Sequence, residues 1–150
     1  VNVPAPRAAA GDPRSYTPAE QYAAWHAALD AAVLSAVLTV QTVGDHLRSG
    51  GSIINVVGDD PQGSRVDAAM KAALSDWTAG QADVFGTRGI TVNTVAGGQG
   101  FRPGYDGLTP TAPPVADEIA RLAVFLTTAA ARHITGQTLH VSHGALAQFG

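Results

Sequence analysis

Apolar residues recur at helical spacing from Trp25 through Leu29, Ala32 or Val33, and Ala36 to Val40. Ahead of them stands Thr17-Pro18-Ala19-Glu20. Thr17 can cap, Pro18 suits the first helical position and Glu20 can close a capping box. The pattern predicts a helix over 17–47, ended by Ser49-Gly50-Gly51. Its opposite side (Ala28, Ala31, Ser35) is apolar too, which predicts burial on two sides, against a sheet and against a partner helix. Ser52–Val57 is β-branched and free of charge, the pattern of a strand covered on both faces. A polar loop over 58–63 follows.

A second helix is predicted over 65–85, with Val66, Ala69, Ala73, Trp77 and Val84 marking its apolar face and Met70 and Leu74 broadening it. A strand follows over 90–95, then a Gly/Pro-rich loop over 97–114. Asp117 and Glu118 open a third helix over 115–128, where they favour the helix dipole. A last strand spans Thr138–Val141. Val1-Asn2-Val3 is a short apolar piece before a proline-rich loop. Strands alternating with helices predict one α/β domain over 1–150: a three-layer α/β/α arrangement around a parallel sheet.

Composition narrows the function classes. The chain has 150 residues, 45% of them apolar, enough for a real core, and its net charge is −3. No basic run exceeds two residues, so nothing draws nucleic acid or an anionic membrane. There is no cysteine, which removes disulfides and thiolate metal sites and fits a reducing cytoplasm. The apolar run over 31–44 is broken by Ser35, Thr39, Gln41 and Thr42 and reads as too short to span a bilayer. No basic leader segment opens the sequence. His140 and His143 are placed by strand alternation on opposite faces, against a shared metal. Asp59-Asp60-Pro61 reads as a turn.

Five segments, in order, resemble the C-terminal two-thirds of a short-chain dehydrogenase/reductase. They are Gly51-Ser52-Ile53-Ile54-Asn55, Lys71-Ala72-Ala73-Leu74, Arg88-Gly89-Ile90-Thr91-Val92-Asn93-Thr94-Val95-Ala96, Glu118-Ile119-Ala120 with Phe125-Leu126, and Ile134-Thr135-Gly136-Gln137-Thr138-Leu139-His140-Val141. The resemblance implies a Rossmann-like domain lacking its first strand-helix units, which carry the family's Gly-rich phosphate-binding turn. Val1-Asn2-Val3 then falls at the family's fourth strand. NAD or NADP would be expected only if those units are supplied; on this chain alone none is expected. By resemblance the cofactor-binding positions are Lys71, Asn2, Gly97 and Gly98.

The family's mechanism uses a tyrosine four residues before the lysine, a serine hydroxyl on the carbonyl oxygen and a relay asparagine. In this sequence the tyrosine position is Asp67, the serine position Gly58 and the asparagine position about Ala32; Lys71 alone is retained. Asp67 four residues before Lys71 reads as a helical ion pair or as a repurposed acid-base site. Gly97-Gly98 stands where the family has Pro-Gly. Phe101 and Tyr105 line a substrate pocket or anchor their loop. Trp25 and Trp77 lie on the two long helices, 17–47 and 65–85, which in this family often meet their copies, so the tryptophans read as core or as interface.

Three functions follow as expectations. The first is a catalytically inactive family member, a structural or regulatory subunit associating with itself or with a complete relative. The second is an NAD(P)-dependent carbonyl reductase or alcohol dehydrogenase, acting on 3-oxoacyl thioesters, whose cofactor-binding part lies outside this chain. The third is a module that binds a nucleotide or acyl ligand without chemistry.

Overall fold

The computed structural model describes residues 1–4, 13–58, 65–97 and 115–141. Strands β1 (Ser52–Val57), β2 (Thr91–Gly97) and β3 (Thr138–Val141) form a parallel sheet in the order β1-β2-β3. The register pairs Asn55 with Thr94 and Thr94 with Thr138, then Val57 with Ala96 and Ala96 with His140. Outside β1, Asn2 makes an isolated parallel bridge to Asn55, its N–H donating to the Ile54 carbonyl and its carbonyl accepting from Val56, both at 2.8 Å. The short apolar start of the chain thus lies beside β1, where the resemblance puts it. Strand β2 is buried at every position, and runs two residues past the predicted end.

Helix α1 (Pro18–Leu29) starts with the predicted capping box. The Thr17 hydroxyl accepts from the Glu20 amide at 3.3 Å, and Glu20 Oε2 accepts from the Thr17 amide at 2.7 Å. A π turn, Asp30–Leu34, joins α1 to α2 (Ser35–Val43), and the helical path ends with a 3₁₀ turn, Gly44–His46. The buried residues along it are Ala28, Val33, Ala36 and Val40. The step from Ala28 to Val33 is the i→i+5 step of a π turn, so the buried face shifts partway along. A uniform helical period misses this, and it corrects two expectations. Trp25 is exposed rather than central to the inner face, and burial is one-sided within this chain: Leu34, Leu38 and Val43 face outward.

Pro18–His46 is also long and apolar enough to cross a membrane by length and composition alone, contrary to the expectation drawn from the run over 31–44. Ser35, Thr39 and Thr42 do not break it, because each hydroxyl donates back to the carbonyl four residues earlier, at 2.7–2.8 Å. The core helix of a soluble protein passes the same test. Here the inner face packs with Val57, Met70 and Leu74.

Helix α3 (Arg65–Gly86) buries Met70, Leu74, Thr78 and Phe85. The predicted face was rotated: Ala73 and Val84 are exposed and Trp77 is half-buried. The polar Thr78 occupies an inner position that an apolar pattern cannot find. Helices α1, α2 and α3 cover one sheet face through Ile53, Val57 and Val92. Helix α4 (Val115–Leu126) covers the other through Ile54, Val95, Ala123 and Leu126. The three layers expected from the strand–helix alternation are therefore present.

Candidate functional site

In a parallel sheet with helical crossovers, ligands sit outside the carboxyl ends of the strands. That edge here is formed by Val57-Gly58, Gly97 and His140-Val141. Helix α3 connects two parallel strands, so it runs back antiparallel to them, and its first turns flank the same edge. Asp67, Lys71, Leu74 and Thr78 recur at the spacing of one helix face.

Beneath the edge lies a buried polar chain. Asn2 Nδ2 donates to Asn55 Oδ1 at 2.8 Å, and Asn55 Nδ2 donates to Thr78 Oγ1 at 3.0 Å. Thr94 Oγ1 donates to the same Thr78 oxygen at 2.8 Å. These bonds fix α3 against β1 and β2 and hold the face that carries Asp67 and Lys71 toward the sheet. Asn93, on the α4 side, clamps the approach to β3: its Nδ2 donates to the Ile134 carbonyl at 2.7 Å and its Oδ1 accepts from the Gln137 amide at 3.1 Å.

Of the predicted site residues, Lys71 and Asp67 are both half-buried on α3, and Asp67 Oδ2 is closed off from solvent. The expected Asp67–Lys71 ion pair is not among those formed between described residues; that pair is Arg88 Nη1 to Asp45 Oδ1 at 3.7 Å. Lys71 instead acts on β3. The His140 imidazole is held below its ordinary value of 6.5, first by partial desolvation and then by the Lys71 charge. Gly58 is exposed at the end of β1, and a Cβ added there meets nothing within 4 Å. Ala32 lies half-buried in the π turn, among the residues packed on the α1–α3 core, and offers no side-chain hydrogen bond.

Asn2 is tied to Asn55 through its side-chain amide. Gly97 ends β2 at the crevice edge. Gly98, Phe101, Tyr105, His143 and Asp59-Asp60-Pro61 lie outside the described residues. Two concavities among the described residues lie at the amino ends of the strands; one of them, lined by Gly51, Ser52, Thr91 and Arg132, has a volume of about 50 Å³. That is room for a water or two, and no predicted site residue lines it.

The sequence assigns His140 no place in the site: it stands in the strand that resembles the family's last one, and strand alternation speaks against a metal shared with His143. Strand alternation together with the β2–β3 register is what places it on the α3 side, opposite Ala96.

This sheet, its strand order and the lysine on the helix after β1 define a class, and the chain belongs to the short-chain dehydrogenase/reductase family. The family model described as Enoyl-(Acyl carrier protein) reductase matches residues 7–100. The chain is 68% identical over all 150 residues to the Mycobacterium tuberculosis protein Rv1856c, named as an oxidoreductase, and spans 67% of its length. It is 34% identical over 106 residues to the 3-oxoacyl-[acyl-carrier-protein] reductase FabG of Vibrio harveyi, covering 63% of this chain and 43% of that one. Among solved structures it is similar to a short-chain dehydrogenase from Burkholderia cenocepacia in complex with NADP. There the TM-score is 0.67 at 27% identity, over 89% of this chain and 60% of the other.

Proposed function

We propose that this chain is a short-chain dehydrogenase/reductase-family member that does not reduce ketones by the family's proton-donor route. It serves as a structural or regulatory subunit, associating with itself or with a complete relative. One observation carries the reading: the crevice keeps Lys71, while the group one turn before it is Asp67 and the residue after β1 is Gly58. Reduction of a carbonyl needs a proton delivered to the oxygen as hydride reaches the carbon. A phenol next to an ammonium can supply that proton, and a serine hydroxyl can hold the oxygen; Asp67 and Gly58 replace both.

The exposed side of Pro18–His46, with Trp25, Leu34, Leu38 and Val43, supports the association, because apolar surface of this kind is normally covered. The absence of cysteine fits a cytoplasmic setting. A nicotinamide cofactor of the kind seen in the Burkholderia relative would meet this chain at Lys71, which suits its ribose. The described residues include no strand, Gly-rich turn and helix to cradle a pyrophosphate, so they fit only part of such a group.

The test is NAD(P)H-dependent reduction of 3-oxoacyl thioesters and simple ketones by the purified chain, alone and mixed with a complete relative. No turnover above buffer is expected from the chain alone. Turnover abolished by Lys71→Ala would establish the second reading instead, a carbonyl reductase with rerouted proton delivery. The likeness to FabG and the retained Lys71 are what favour that second reading.

A further inference from the structure

Lys71 and His140 reach the crevice from opposite walls. The Thr94 hydroxyl bonds Thr78 on α3, which fixes that face of β2 toward α3. Thr138 pairs with Thr94 and His140 with Ala96, so both β3 side chains lie on the same face. Along α3, Lys71 stands two turns before Thr78, roughly 10 Å toward the carboxyl edge of the sheet. Along β3, His140 stands two residues past Thr138, roughly 7 Å in the same direction. The ammonium and the imidazole therefore flank one mouth. Between them β2 ends in Ala96 and Gly97, and the space at Gly58 is open. His140 is exposed there, and Lys71 is half-buried.

We propose that Lys71 and His140 together bind an oxyanion, the phosphate or carboxylate of a ligand, and that His140 takes up a proton as the anion enters. This names the ligand class of the crevice read above as having lost its reducing chemistry, and so rests on that reading. Among the described residues, the charged group that acts on His140 is Lys71 from α3; the β2 residues beside it, Ala96 and Gly97, bring none. With His140 protonated the mouth gains a second positive charge beside Lys71, and the imidazolium becomes a second donor. The Lys71 charge opposes that protonation in the empty site, and an anion between the two groups removes the opposition. By linkage, whatever raises the His140 midpoint must itself bind more tightly as pH falls.

The experiment is an NMR titration of the His140 ring protons in the purified chain at matched ionic strength. It is run with chloride alone, with inorganic phosphate and with acetate, the signal being assigned by its loss in His140→Asn. Phosphate is expected to raise the His140 midpoint by about half a unit or more, which corresponds to binding roughly threefold or more tighter in the imidazolium form. Lys71→Gln, which keeps the stem of the side chain, is expected to raise the midpoint of the empty site and to remove the phosphate response. A response to both anions identifies a site that reads charge; a response to one alone identifies that group as the ligand's. A midpoint moved by neither anion, or moved equally in Lys71→Gln, overturns the proposal. No cofactor or ketone is present, so the titration reads anion binding alone, and failure of the functional reading shows separately, as reductase turnover in the other assay.

Discussion

Asn55 and Thr78 are joined by a buried 3.0 Å hydrogen bond across 23 positions of the chain. Thr78 Oγ1 also accepts from Thr94 at 2.8 Å, so a single helix hydroxyl serves two strands. Replacing it with an isosteric methyl leaves two buried donors without that acceptor, at about 1–3 kcal/mol each. Thr78→Val is therefore expected to lower the denaturation midpoint substantially, and Thr78→Ser to retain most of the stability. Urea unfolding of the two variants, with unchanged slope, measures the difference. Equal stability of Thr78→Val and the parent chain would show that the hydroxyl is dispensable.

Leu74 is 1% exposed at the centre of the cluster formed by α1, α2, α3 and β1. Its truncation to alanine is expected to cost about 2–5 kcal/mol through lost burial and a residual cavity. Val84, on the same helix but 60% exposed, should tolerate alanine within about 0.5 kcal/mol. Thermal melts of Leu74→Ala and Val84→Ala check the orientation of α3. Similar losses at both sites would place the buried face wrongly.

Gly89 adopts φ +69°, and a Cβ there would stand 2.7 Å from Ser49 Oγ. The left-handed backbone alone costs a β-carbon-bearing residue roughly 1–2 kcal/mol. Gly89→Ala should therefore lower the melting temperature, and adding Ser49→Gly should recover only the part due to the contact. Full recovery in the double variant would mean that the backbone conformation carries no cost.

His140 and Glu20 give two pH windows. The folded His140 titrates below its ordinary 6.5, so the folded chain holds fewer protons than the unfolded one just under that value. Stability is then complete above pH 6.5 and declines as pH falls from 6.5 through the folded midpoint. Glu20 is lowered from 4.5 by hydrogen bonds, first to the Thr17 side chain and then to its backbone. Its share is present above 4.5 and is lost as pH falls through its own lower midpoint. His140→Asn should flatten the upper window only, and Glu20→Gln the lower. Unfolding midpoints measured across pH 3–8, an interval set to bracket roughly the ordinary Glu and His values, test both, and an unchanged profile in either variant removes that assignment.

The fold was legible because each element announces itself locally. Ser52–Val57 and Thr138–Val141 match their predicted bounds, since β-branched runs between turn residues leave little choice. The π turn was not legible, because Asp30–Leu34 contains nothing a helix would refuse. Only the i→i+5 step from Ala28 to Val33 reveals it, and that step shows in burial against α3, not in the local sequence. The polar chain through Asn55, Thr78 and Thr94 escaped for the opposite reason: an apolar pattern scores buried hydroxyls and amides as surface. Within the site, spacing along α3 was enough to relate Asp67 to Lys71. His140 joins them only through the pairing of β3 with β2, which no local spacing encodes.

The missing side chains of the site can be restored, and the geometry says at what cost. Gly58 has open space for a Cβ, so Gly58→Ser should leave stability within about 0.5 kcal/mol of the parent. Asp67→Tyr is harder: Asp67 is half-buried, with one carboxylate oxygen closed to solvent, and a phenol is much larger. Overpacking of this kind costs about 1–3 kcal/mol. If the crevice differs from a working reductase only in these groups, the double variant should gain ketone reduction when mixed with a complete relative and NADPH. A further Lys71→Ala change should then abolish that gain. Each single restoration should fall short, because a proton donor and a carbonyl-oxygen donor act together in one transition state. A folded double variant with no gain would mean that more than the proton-transfer groups has been lost. Ala32, where the relay asparagine would stand, is the next position to restore.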